Sequence, residues 1–276
     1  DVRARVAVRV LAAEDAEQHH EPSEEVWRAA NELGLITLAV PEQLGGAATD
    51  RSVVTSALVA ENLAWGDMGQ ACALLAPVGV VNALANWGTA AQQMSFLPAF
   101  ASDSPPDAAI AMLESGTVCD PMKPRTVARK DGTDWILNGE KALVPLGRFA
   151  ELYLVSASCE GLGPRLLLVE RSATGVSRAI DESMGLRGGG LGRIHFNDVR
   201  LSPEAILGDE NSLSEAVHLS RLMWCSMAVG CAQAVLDLLT PYVNERKAFG
   251  EPISRRQGVA FTVANIAIEV DAMRLM

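Results

Sequence analysis

Few side chains in this 276-residue sequence stand where they could do chemistry, and each is weighed by its neighbours. Glu114, in AMLESGTVCD, is a carboxylate that could take a proton, but at a strand-to-loop junction a capping role fits it better. Cys119, five residues on, has no identified base or helix N-terminus to lower its pKa, so it reads as a buried thiol. Gly188, Gly189 and Gly190 have the look of a phosphate loop. Neither a following Lys-Ser/Thr nor a βαβ context supports that, and the run reads as a flexible loop. Cys72, Cys119, Cys159, Cys225 and Cys231 show no CxxC and no Cys/His spacing for zinc, which fits reduced thiols in a cytoplasmic protein and no metal. His19 and His20 sit in a charged stretch and read as solvated, and His195 in GRIHFND reads as a strand-surface residue. Two further groups stand out: Ser220-Arg221-Leu222 within a long apolar helix, and Arg246, Phe249 and Gln257 around the turn ERKAFGEPISRRQ.

The elements that must position these groups fall into three zones. Residues 1–105 are Ala- and Leu-rich with helical spacing, as in Val26, Ala29, Ala30 and Leu33, and form an N-terminal α-helical domain. After Ser104-Pro105-Pro106 the period shortens, and TVARK, DGTD and WILNG read as a hairpin within a small β-domain over 106–208. From 209 to 276 the helical pattern returns as the start of a C-terminal bundle, giving an α+β fold. Its first helix, running to about Lys247, spans about 50 Å, and Pro241 should kink it or remove a backbone bond. A second helix is expected from near Ser254 through Met276, and its apolar surface predicts oligomerisation or further residues to cover it. The opening DVRARVAVRVLAAEDAEQHH reads as an amphipathic helix and lacks the continuous apolar core of a secretory signal.

Composition excludes some partners. A formal net charge of -11, from 23 Lys and Arg against 34 Asp and Glu, argues against nucleic acid and anionic membrane surfaces. Met68 to Ser102 carries no charge, but Pro77, Gly79, Asn82, Asn86 and Pro98 interrupt it, which predicts buried helices and no membrane span.

Read in order, ELGLITLAVPEQLGG, AIAMLESGTVCD, WILNGEKALVPLG, MGLRGGGLGRIHFNDVRLSPEAILG and ERKAFGEPISRRQ resemble the successive signature segments of the acyl-CoA dehydrogenase family. None decides the matter alone; together, in the family's order and spacing, they cover essentially the whole chain. The resemblance implies an N-terminal helical domain, a central β-barrel-like domain and a C-terminal helical bundle, usually in a tetramer. It implies FAD between the β-domain and the bundle, an acyl-CoA substrate, and electrons passing to an electron-transferring flavoprotein. Removing a weakly acidic proton beside a thioester needs a polarised carbonyl and a desolvated carboxylate, while the flavin accepts hydride from the β-carbon. By position, Met112 and Leu113 fall along the pyrimidine side of the flavin, and Leu143 and Pro145 near its face and N5.

The departures from the family pattern concentrate on that ring. Leu113 replaces a Thr, and Leu143-Val144-Pro145 replaces Trp-Ile-Thr or Trp-Ile-Ser, so an aromatic face and two hydroxyls are gone and Pro145 has no N–H to offer. Cys119 replaces a Ser, and Gly189-Gly190-Leu191 a polar run. Arg246, Phe249 and Gln257 survive intact, and in relatives they reach a neighbouring subunit's FAD, the Arg meeting the diphosphate. The resemblance therefore implies either an ordinary FAD enzyme with unusual flavin contacts or a subunit that completes a partner's FAD site while its own is weakened, as in heteromeric actinobacterial enzymes, within a homo- or hetero-tetramer. A flavin-free scaffold completing a partner's FAD site, and an acyl-CoA oxidase or flavin monooxygenase, are the alternatives. Some relatives carry the catalytic base where Ser220 stands, and Ser cannot serve; most carry it in a later part of the bundle, beyond the position of Met276. Arg221 matches an arginine that supports the base region.

Overall fold

The computed structural model describes residues 16–49, 52–116 and 118–276. Most of the expected opening helix falls outside the described residues. The helical layer that follows comprises α1 (Glu24–Glu32), α2 (Val53–Gly66), α3 (Met68–Trp87) and α4 (Ala90–Phe100). Their starts are written in the sequence as caps. Ser52 Oγ accepts from Thr55 N at 3.3 Å, and Asp67 Oδ1 from Gln70 N at 2.7 Å. Thr89 and Gln92 form a reciprocal capping box. Gln92 also ties this layer to the β-domain, its Nε2 donating to the carbonyls of Glu204 and Ile206 at 2.8 and 2.9 Å.

The β-domain is built on β1 (Ala108–Ala111), β2 (Val127–Asp131), β3 (Asp134–Val144), β4 (Leu152–Cys159), β5 (Gly163–Glu170), β6 (Val176–Ile180), β7 (Gly192–Leu201) and β8 (Ile206–Leu207). The predicted hairpin is β2–β3, paired Val127 to Asn138 through Asp131 to Asp134, with Gly132 at φ +64° in its turn. In one sheet the order is β6-β7-β3-β2-β4-β5-β8, with β1 beside β4 and parallel to it. The sheet stays open, without closing into a barrel. β4 is its axis: its residues are buried at every position but Ser158, and their alternate faces feed two cores. Leu152 and Leu154 pack toward α3 and α4, Tyr153 and Val155 toward the interior of the sheet domain.

Helix α5 (Ser212–Glu245) runs unbroken past Pro241, so the expected kink does not interrupt its span. A small hairpin of β9 (Lys247–Ala248) and β10 (Glu251–Pro252) then leads to α6 (Gln257–Leu275). α6 starts later than the expected Ser254 because Ile253–Arg255 form a 3-10 turn first. Both α3 and α5 are long and apolar enough to cross a membrane by length and composition. In α3, 67% of the most apolar stretch is buried inside the protein, as the helical-domain reading expects; in α5 only 17% is.

α5 docks on α2 through backbone. At Gly230 an added Cβ would lie 2.0 Å from the carbonyl oxygen of Glu61, so only glycine permits the crossing. Trp65 Nε1 to Asp237 and Trp87 Nε1 to Glu215, both 2.9 Å, fasten the same helix on either side. We predict that G230A separates these helices and costs about 1–3 kcal/mol. Chemical denaturation of the variant checks this, and an unshifted midpoint would show that the crossing opens at no cost.

Candidate functional site

The ends of β1 and β3 come together over the middle of α3 and the first half of α5, around a cavity of about 530 Å³. Met112, Leu113, Leu143, Val144 and Pro145 form its β-domain wall; Ser220 and Arg221 stand on the α5 side, with Asn82 and Asn86 on α3. Four of the residues singled out from the sequence for one ligand, Met112, Leu113, Leu143 and Pro145, therefore line a single cavity. Leu113 and Leu143 present themselves to it, 42% and 44% exposed, whereas Met112 is buried behind them. Among the described residues Arg221 is the one charged side chain in the lining.

What holds this wall in place is a buried ion pair that sequence reading missed. Lys141, fully enclosed, donates to Glu114 Oε1 at 2.8 Å, to Ser156 Oγ at 2.9 Å and to the carbonyl of Met112 at 3.2 Å. Glu114 also accepts from Thr126 N and Oγ at 2.9 and 2.7 Å, and from Arg125 N and Nε at 2.9 and 3.2 Å. Burial pushes the Glu114 pKa up, but the hydrogen bonds from Lys141, Thr126 and Arg125 outweigh it and hold the group at about 2. Burial pushes Lys141 down, against the pull of Glu114. Glu114 thus has the capping role expected of it. A usable signal was present: Lys141 follows Trp135 and Leu137 on the inward face of β3, where an unpaired charge would be untenable.

A second network fixes the backbone of the wall. Leu143 has φ +51°, a left-handed conformation uncommon for a side chain of its size, and its N–H donates to Asp181 Oδ2 at 2.7 Å. Asp181 is held by Arg193 at 2.9 Å, and Arg193 in turn by Glu140 at 3.2 Å and by Ser115 Oγ at 2.9 Å. His195 joins from the surface of β7, with Nδ1 3.2 Å from Glu140, as its strand-surface reading implies. Nothing in the sequence near Asp181 announces this role, since the contact spans 38 residues.

The remaining sequence-derived residues lie elsewhere. Cys119 neither lines the cavity nor is the buried thiol expected: it is half-buried in the loop after β1, and its Sγ accepts from Glu114 N at 3.3 Å. The Gly188–Gly190 segment is not the loose loop expected. Gly188 and Gly189 are buried in a 3-10 turn against the start of α3, and Leu146 N donates to the Gly189 carbonyl at 2.8 Å. Arg246, Phe249 and Gln257 are also outside the cavity, around the hairpin that ends α5. Phe249, at φ +56°, is 94% exposed, with the Arg256 guanidinium 5.0 Å over its ring.

Comparison with known proteins adds the family. Models of its N-terminal, middle and C-terminal domains match residues 1–104, 109–199 and 211–276, in that order. The chain belongs to the acyl-CoA dehydrogenase family. It is 30% identical over 289 residues to the long-chain specific acyl-CoA dehydrogenase of Sus scrofa mitochondria, covering 98% of this chain and 66% of that protein. Acyl-CoA dehydrogenase FadE12 of Mycobacterium tuberculosis is also 30% identical, over 95% of this chain and 69% of its own. Among solved structures, the acyl-CoA dehydrogenase of Bacillus anthracis complexed with FAD superposes with a TM-score of 0.85 at 28% identity, covering 99% of this chain and 49% of that one. The chain thus spans just under two thirds of the pig relative's length.

For the Glu114–Lys141 pair behind this wall we predict a specific acid response. Because Glu114 is held below its ordinary value of 4.5, its contribution is complete above that pH and is lost as pH falls through about 2. E114Q should lack that part of the acid limb in denaturation curves measured at several pH values. E114A, leaving Lys141 buried and unpaired, should cost about 3–5 kcal/mol at neutral pH.

Proposed function

We propose that this chain is a subunit of an FAD-dependent acyl-CoA dehydrogenase that introduces an α,β double bond into the acyl group of a coenzyme A thioester. The observation that carries the reading is the cavity itself. Its β-domain wall is apolar, its neighbour helix presents Ser220 and Arg221, and it lies between the parts of the fold where the family's site is expected. An apolar enclosure strengthens electrostatic interactions with a thioester carbonyl, and Arg221 is the cation available to hold or orient one. Among the described residues no carboxylate lines the cavity, and the nearby Glu215 is engaged by Trp87. Ser220 and Arg221 therefore orient the substrate in this reading, and its α-proton passes to a carboxylate outside the described residues of this cavity.

FAD supplies a hydride acceptor when bound. The β-domain wall suits the flat, apolar faces of such a ring and does not suit its polar edge. Arg246, Phe249 and Gln257 are exposed, consistent with an arm offered to a neighbouring subunit of a homo- or hetero-tetramer. In this reading the chain is organised as a helical domain over 1–105, a β-domain over 106–208 and the start of a bundle over 209–276. The assembly works in lipid metabolism in the cytoplasm, with an electron-transferring flavoprotein as electron acceptor.

The test is oxidation of a series of straight-chain, branched and cyclic acyl-CoA thioesters at saturating FAD, followed with an artificial electron acceptor. At least one thioester should be converted to its enoyl product. R221A should slow turnover about 10- to 100-fold with little change in thermal midpoint. A full series left unoxidised by protein with FAD bound would sink the assignment.

A further inference from the structure

The donors traced on the β-domain wall of the cavity are engaged within the protein, and this bears on how the chain meets a flavin. The polar edge of an isoalloxazine carries N1, O2, N3–H, O4 and N5, which need partners when they are removed from water. At the ends of β1 and β3 each nearby backbone donor that can be traced is engaged within the protein. Ala142 N goes to the Leu113 carbonyl at 2.9 Å, Leu146 N to the Gly189 carbonyl at 2.8 Å, and Leu143 N to Asp181 at 2.7 Å. Glu114 N goes to Cys119 Sγ at 3.3 Å. Pro145, between these, has no N–H at all.

The side chains repeat the pattern. Met112, Leu113, Leu143 and Pro145 bear no donor, and the hydroxyls behind them are committed inward, Ser115 to Glu140 and Thr126 to Glu114. The three described hydrogen bonds of the Lys141 ammonium also point away from the cavity, to Met112 O, Glu114 and Ser156.

We propose that this chain leaves the polar edge of the flavin ring without a side-chain donor at Leu113 and without any donor at Pro145, and therefore binds FAD weakly and exchangeably through its apolar faces. The inference rests on the proposed function, since it takes the cavity to be the flavin's place. It adds that the two positions set the affinity: each can be given back a donor without disturbing the Glu114–Lys141 pair or the Asp181 clamp.

The experiment is an FAD titration of the purified protein, read by quenching of flavin fluorescence and by the shift of thermal midpoint with FAD concentration. Wild-type protein should lose its FAD on gel filtration and half-saturate at micromolar concentrations or above. L113T, which adds a hydroxyl, and P145A, which restores an N–H, should each tighten binding about 2- to 10-fold, and L113T/P145T about 10- to 100-fold. L113V, similar in shape to L113T but without the hydroxyl, should leave the affinity unchanged, and thermal midpoints without FAD report whether each variant is folded. Wild-type protein that keeps one FAD per chain through gel filtration, or folded L113T and P145A variants with unaltered affinity, would overturn the inference. If such tight wild-type binding is accompanied by thioester oxidation, the dehydrogenase reading stands and this inference alone fails; if no folded variant binds FAD at any concentration, both fail.

Discussion

A lysine with no access to water organises this molecule's cavity. Lys141 cannot be buried on β3 without partners, and the partners it finds, Glu114, Ser156 and the Met112 carbonyl, bring the end of β1, the middle of β4 and β3 to one point. Glu114 then draws in Thr126 and Arg125 at the entry to β2. Two charges thus fix four strands relative to one another. The apolar wall facing the helices is the outer surface of that arrangement, and its shape is set from behind.

This placement explains how an oily wall and a polar interior coexist within a few residues. The groups that could have faced a ligand are turned inward or consumed by the frame that holds them. Asp181 completes the frame by accepting the N–H of Leu143, which keeps a bulky residue in a left-handed turn. The Leu143 side chain, 44% exposed, is consequently held out into the cavity by a backbone it did not choose.

Much of the architecture was legible in the sequence because it depends on short-range signals. The Asp-Gly turn marks β2–β3, the uncharged stretch after Asp67 marks the buried α3, and the apolar spacing after Ser212 marks α5. The convergence of Met112, Leu113, Leu143 and Pro145 on one cavity was legible only through family resemblance, because these positions meet across different strands. The partners of Lys141 and Leu143 lie 27 and 38 residues away: the inward face of β3 announces that Lys141 needs a partner without saying which, and nothing local announces the Asp181 clamp. Gly188 to Gly190 failed in the opposite sense. Glycines that permit close packing look the same in a sequence as glycines that permit motion, and what packs on these is the distant start of α3.

The bare crossing of α5 over α2 has a mechanical meaning. Gly230 touches the Glu61 backbone with no side chain between, while Ser220 and Arg221 lie to one side of that contact and Arg246 to the other. At about 1.5 Å per residue, the cavity end of the rod lies about 14 Å from this fulcrum and the hairpin end about 24 Å. Trp65 and Trp87 pin the rod on either side of this contact, so the cavity side of α5 and the Phe249 hairpin are held at a set spacing by one continuous helix.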